Sequence, residues 1–135
     1  DGVLAAFGAP ISTGADAEAA LRCAIAMRDA VETVNKKNRG DELPEIKTAI
    51  AVNTGQVVVG NIGCEQRAKF GFVGHPVNVT SRIEDCERAG EILISQNTKN
   101  SVDSTKYKFS RPRSITVKGV KNVLEVFNVE GMETN

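Results

Sequence analysis

The chain has no tryptophan, one tyrosine and one histidine, and its five phenylalanines bring the aromatics to only six. None stands in a run like those on which single-stranded RNA bases stack, so an RNA-recognition domain of the RRM type is excluded. Charge of one sign is also lacking. Lysine plus arginine and aspartate plus glutamate balance at 17 each, which leaves no global field to draw the chain onto nucleic acid or an acidic membrane. A charged ligand must therefore be held locally. The three cysteines, Cys23, Cys64 and Cys86, are odd in number and have no CxxC spacing, which argues against a disulfide framework and against a zinc site. They are expected to be reduced, partly buried thiols. No apolar run approaches about 20 residues and no signal peptide opens the chain, so the segment is expected to be soluble, with no membrane contact of its own. An anchor elsewhere in a longer parent stays open.

Other absences narrow the chemistry. The glycines at 55, 60, 63, 71 and 74 form no GxGxxG turn, and no GKS or GKT follows, so neither a Rossmann nor a P-loop phosphate site is supported. Phosphate binding would have to come from side chains. His75 has no serine nucleophile elbow beside it, which removes a hydrolase triad and leaves it as an exposed turn residue.

The 135 residues suit one domain, able to bury roughly two-thirds of the surface its unfolded chain exposes. Asp1-Gly2 is a turn dipeptide followed by the apolar run Val3–Phe7, which reads as the second strand of a hairpin whose first strand is missing. Ala17, Leu21, Ala24, Ile25, Val31 and Val34 recur at helical spacing and predict an amphipathic helix from Asp16 to about Asn38. A polar loop with Gly40 and Pro44 follows, then strands over Ile46–Asn53, Gln56–Gly60 and Phe70–Val73. A helix from Pro76 to Arg88, stopped by Ala89-Gly90, leads to a strand at Glu91–Ser95 and a weak helix at Gln96–Val102. Lys106–Phe109, Ser114–Val117 and Val123–Val129 read as closing strands. Strands and helices mix without strict alternation, so the class is α+β, a sheet with helices over it.

The stretch GHPVNVTSR, residues 74–82, carries the chemistry. With Pro76 opening a helix, the amide of Asn78 and the guanidinium of Arg82 fall on one face about a turn apart, a geometry that suits an anion. Asn78-Val79-Thr80 is formally a glycosylation acceptor, but it lies inside the predicted helix and no secretory context accompanies it. Lys118-Gly119-Val120-Lys121 is a basic turn which, on the residues alone, reads as solvated surface.

Taken in order, DGVLAAFGAP, TGQVVVGNIG, FVGHPVNVTSRIE, GEILIS and VKGVKNVLEVFNV resemble the catalytic domain of class III nucleotidyl cyclases over nearly the whole chain. The resemblance implies a ferredoxin-like mixed sheet covered by helices, spanning 1–135 and lacking the first strand. It implies a purine nucleoside triphosphate bound at a head-to-tail homodimer interface, and two Mg²⁺ or Mn²⁺ ions per site. Asp1 then matches a metal-binding aspartate, Asn78 the residue that orients the ribose, Arg82 the one that stabilises charge on the α-phosphate, and Lys118 the one that holds the terminal phosphates. Gly63–Phe72, which includes the arm 63–72, matches a segment that reaches the partner subunit.

The departures are specific. The strand that carries the other metal-binding aspartate is absent, as is the first base-selecting position, so the chain alone is expected to lack half its metal site and to be inactive. Gln56 and His75 stand where the family has other residues, without a derivable consequence. Gly71 occupies the second base-selecting position and offers no side-chain acceptor to the 6-amino group of adenine, which favours GTP over ATP. Three readings stand: a guanylyl cyclase, an adenylyl cyclase, or a non-catalytic dimerisation module of cyclase ancestry. A cytoplasmic location is expected with any of them, whether or not a longer parent chain is anchored to a membrane.

Overall fold

Residues 2–9, 11–62, 69–116 and 123–133 are described by a computed structural model. The first long element is α1 (Asp16–Gly40), with Asp16 and Glu18 in its first turn and Lys37 and Arg39 in its last, each charge set to favour the helix dipole. The strands β1 (Ile50–Val52), β4 (Ile92–Ser95), β5 (Tyr107–Phe109), β6 (Arg113–Ile115) and β7 (Leu124–Met132) form one mixed sheet in the order β1-β4-β7-β5, with β6 also on β7. β1 runs parallel to β4, while β7 is antiparallel to β4, β5 and β6. β2 (Val58–Ile62) and β3 (Lys69–Val73) make a separate antiparallel pair, and α2 (His75–Asp85) and α3 (Gln96–Ser101) complete the order. The α+β class is as expected, a mixed sheet with helices.

Side chains alternate across the pleat, so one strand can serve two cores. Ile92 and Ile94 of β4 join Leu21, Ala24 and Ile25 of α1, with Phe127 and Val129 of β7, in one cluster. Leu93, between them, turns the other way and meets Val79 and Ile83 of α2, with Val126 and Ile115. All four residues of β4 are buried, which is why Ile92–Ile94 reads as an unbroken apolar run without alternation. Arg28 stitches α1 to the sheet, its Nη1 donating to the carbonyl of Val129 at 2.6 Å.

Four expectations need correction. Val3–Phe7 forms no strand: Val3 is 92% exposed, and the run finds no ladder partner among the described residues. Backbone groups without a ladder stay with water, whatever the side-chain pattern. The strand expected from Ile46 begins only at Ile50, because the side chain of Asn35 occupies both polar groups of Ile46, donating to its carbonyl at 2.9 Å and accepting from its N–H at 2.6 Å. The helix expected to reach Arg88 stops at Asp85, where Cys86 and Glu87 N–H groups bond to Ile83 and Glu84 carbonyls, tightening the last turn. Cys23 and Cys86 are free but exposed, not partly buried; Cys64 lies outside the described residues.

Candidate active site

The site is built on α2. Pro76 in the first turn has no N–H to lose there and a backbone angle already suited to a helix. Val79 and Ile83, four residues apart, are buried against the sheet and fix which way the helix faces. Asn78 and Arg82 each precede one of them by a single residue, so the pair lies one turn apart on a flank that is exposed to solvent. Arg82 Nη1 reaches Asp85 Oδ2 at 3.3 Å, and both side chains are more than half exposed. Such a pair is worth well under about 1 kcal/mol, so the guanidinium can be surrendered to a stronger anion.

Gly71 is half-buried in β3, opposite Gly60 of β2, three residues before the turn that starts α2. The expected site residues Asn78, Arg82 and Gly71 therefore sit on adjoining elements. Asp1 and Lys118 lie outside the described residues, as do 63–68 of the expected arm. His75 is exposed as expected, but it is the first residue of α2 and not part of a free turn. Among the described residues no group of three or more histidine, cysteine or acidic side chains is arranged to hold a metal ion. These residues alone do not make a metal centre.

A cleft of about 410 Å³ opens beside the start of α2, lined by Asn53, Thr54, Gly55, His75, Pro76 and Val79 together with residues that begin α3 and β7. Neither Asn78 nor Arg82 lines it, although Val79 lies between them in sequence. Sequence reading passed over Asn53, whose amide donates to the carbonyl of Pro76 at 3.1 Å. The available signal was an Asn-Thr-Gly turn at the end of a strand, which has many other uses.

The far end of α2 carries the strongest electrostatic perturbation. Glu87 follows Val79 and Ile83 at four-residue steps, and both of its carboxyl oxygens are buried without a hydrogen-bond partner. Burial, then the neighbouring Glu84 and Glu91, pushes its pKa from 4.5 up to about 8. Arg113 grips Glu91 with two bonds, at 2.6 and 3.2 Å, and its guanidinium holds that carboxyl below the usual range.

The sequence profile of the adenylate and guanylate cyclase catalytic domain matches residues 1–131. The chain belongs to that cyclase family. Adenylate cyclase 1 of Rhizobium meliloti (strain 1021) is 31% identical over 133 residues, covering 98% of this chain and 20% of that protein. The crystal structure of the guanylyl cyclase Cya2 superposes with a TM-score of 0.85 at 40% identity, covering 94% of this chain and 64% of that one. The adenylyl cyclase CyaB from P. aeruginosa gives 0.79 at 32% identity, covering 91% of this chain and 64% of its own. The cyclase chain thus spans about a fifth of that curated relative and just under two-thirds of the two solved domains. Relatives named for either purine are similar to it, and family membership leaves the base open. No described helix of this cyclase domain is long and apolar enough to cross a membrane.

Proposed function

We propose that the chain is the catalytic part of a class III nucleotidyl cyclase, a lyase that converts a purine nucleoside triphosphate to the 3′,5′-cyclic nucleotide and pyrophosphate, with GTP preferred over ATP. The observation that carries this is the exposed flank of α2, where Asn78 and Arg82 stand one turn apart on a helix whose opposite side is fixed by Val79 and Ile83. In the reaction the ribose 3′-oxygen forms a bond to the α-phosphorus, the bond to the β-phosphate breaks, pyrophosphate leaves with that electron pair, and the hydroxyl proton passes to solvent. Asn78 has both a donor and an acceptor with which to fix the ribose. Arg82 supplies a planar cation for the charge that grows on the α-phosphate, a contact worth more in the transition state than in the ground state. Lys118 would hold the departing phosphates, and Asp1 would contribute a hard carboxylate to two Mg²⁺ or Mn²⁺ ions per site, which neutralise phosphate charge when bound.

GTP is favoured because Gly71 has no side chain to accept from an adenine amino group. A homodimer through the arm 63–72 fits the adjoining hairpin, where the cross-strand partners Val58 and Val73 are 69% and 48% exposed. A cytoplasmic site of action fits the proposed nucleotide substrate.

The test is cyclic nucleotide formation from GTP and from ATP with Mn²⁺, on the protein with whatever flanking sequence it naturally carries, beside Arg82→Ala. Arg82→Ala is expected to lower the rate on the order of a hundredfold, as loss of a transition-state donor does. Product mainly from ATP would keep the mechanism and overturn the base assignment. Activity that survives Arg82→Ala would overturn the role given to Arg82, and no product from either purine would sink the catalytic reading and leave the dimerisation module.

A further inference from the structure

We propose that Asn53 is a positioning residue for the cyclase reaction: its side-chain amide holds the first turn of α2 and thereby sets where Asn78 and Arg82 stand. This rests on the catalytic reading of α2 given above.

Three sets of contacts converge on the point. First, α2 begins at His75 behind Gly74, and no side-chain acceptor caps its free N–H groups, so no local cap fixes the helix entry. Asn53, the first residue beyond β1, supplies that hold by donating from Nδ2 to the Pro76 carbonyl at 3.1 Å. Thr80, one turn on, donates its hydroxyl to the same oxygen at 2.6 Å. The two side chains thus tie the strand end and the helix to one atom.

Second, the residues on either side of Asn53 are themselves fixed. Thr98, fully buried in α3, donates to the Val52 carbonyl at 3.3 Å, and its hydroxyl also bonds that of Thr54 at 2.9 Å. The amide therefore projects from a backbone clamped to the central sheet and to α3. Third, the following turn lies directly on the helix start. A Cβ on Gly55 would stand 2.5 Å from Cγ of Pro76, and one on Gly74 would stand 3.4 Å from the Gln56 carbonyl oxygen. The loop that begins at Asn53 is a seat shaped to the first turn of α2.

The remaining contacts of α2 cannot do this work. Val79 and Ile83 decide which face of α2 meets the sheet, but apolar packing is non-directional and leaves room for small slides and rotations within that orientation. A directed hydrogen bond at Pro76, two residues before Asn78 and six before Arg82, fixes rotation and axial position. At about 1.5 Å of rise per residue, Arg82 lies about 9 Å along the axis from that anchor, near enough for a shift of the first turn to reach it undiminished. Misplacement of a reacting group by about 1 Å can cost on the order of a hundredfold in rate.

The experiment compares Asn53→Ala and Asn53→Asp with the wild type in the full natural protein, by steady-state kinetics with GTP and ATP well below each protein's Tm. Both variants are expected to lower kcat by about tenfold or more while KM moves by less than about threefold. A second readout separates positioning from mere stability. An ionised aspartate can only accept, whereas a protonated one can donate to the Pro76 carbonyl as asparagine does. At about pH 8 aspartate keeps the size of asparagine but sets an acceptor against the Pro76 carbonyl oxygen, so the kcat deficit of Asn53→Asp should exceed that of Asn53→Ala, whereas a merely space-filling role would leave Asn53→Asp nearer to wild type.

Unchanged kcat in a folded variant, or an Asn53→Asp that stays closer to wild type than Asn53→Ala, would overturn the proposal. Should Asn53→Ala fail to fold, Thr80→Val removes the other side-chain donor to the same oxygen: a selective loss in kcat supports the proposal, and none overturns it. A wild type that makes no cyclic nucleotide brings down the catalytic reading and this one together. A wild type that is active and sensitive to Arg82→Ala, beside indifferent Asn53 variants, brings down this one alone.

Discussion

Glu87→Gln should make the domain more stable as the solution becomes more alkaline. The carboxyl oxygens of Glu87 are sealed from water and make no hydrogen bond of good geometry; the backbone N–H groups of Leu93 and Ile50 offset only part of the effect of burial and of Glu84 and Glu91, and the Arg113 guanidinium is already committed to Glu91. In the folded chain it keeps its proton until about pH 8, whereas its ordinary value is 4.5. Between those values the folded state holds a proton that the unfolded state has released, so stability falls as pH rises through the window. Below pH 4.5 the group costs nothing, and above pH 8 the full penalty is present. The gap in pKa caps that penalty at about 5 kcal/mol. Glu87 as a whole is only half-buried, so solvent relaxation reduces it, and an unsatisfied buried carboxyl suggests ~1–3 kcal/mol.

Glutamine keeps the shape without the ionisation. Thermal unfolding followed by circular dichroism from pH 5 to 9 should show the two proteins nearly together at pH 5 and separating above it. At ~1–3 kcal/mol the separation in Tm at pH 9 amounts to roughly 3–15 °C, with the variant higher. Every other titrating group is shared, so the difference curve isolates this one. Parallel curves, or a wild type that gains on the variant with rising pH, would refute the assignment of a protonated Glu87.

Gly55→Ala forces a methyl group to within 2.5 Å of the Pro76 ring, and displacing a proline that opens a helix is expected to cost ~1–3 kcal/mol, seen as a lower Tm or denaturant midpoint. Arg113→Ala leaves Glu91, only 14% exposed, without its bidentate partner, and should destabilise by ~1–3 kcal/mol at pH 7 in urea unfolding. That loss has the opposite pH sense to the Glu87 effect. Glu91 has a lowered pKa in the fold, so its contribution is present above the ordinary carboxylate value and disappears as pH falls through the lowered one, where wild type and Arg113→Ala should converge.

The elements most legible in the sequence were those whose pattern and packing agree. The spacing of Leu21, Ala24 and Ile25 placed α1 to within two residues of its end, and the apolar run before Gln96 placed β4. Legibility failed where a distant side chain decided a backbone's fate. Nothing local in Ile46–Ala49 announces that Asn35 will take the hydrogen bonds a strand would have used. The site followed the same rule: Asn78 and Arg82 share a helix face by spacing alone, whereas Asn53 reaches Pro76 across 23 residues. Glu87 stood in plain view, four residues beyond Ile83 on the inward stripe, but a charge near a helix end ordinarily reads as solvated surface.

β4 is a party wall. Ile92 and Ile94 face one cluster and Leu93 the other, so neither compartment can be emptied while its neighbour stays intact. Helices α1 and α2 never need to touch for the loss of one to be felt by the other, because the same strand underwrites both. The domain consequently has no cheap partial opening through its centre: the seat of α2 and the packing of α1 stand or fall as a single cooperative unit.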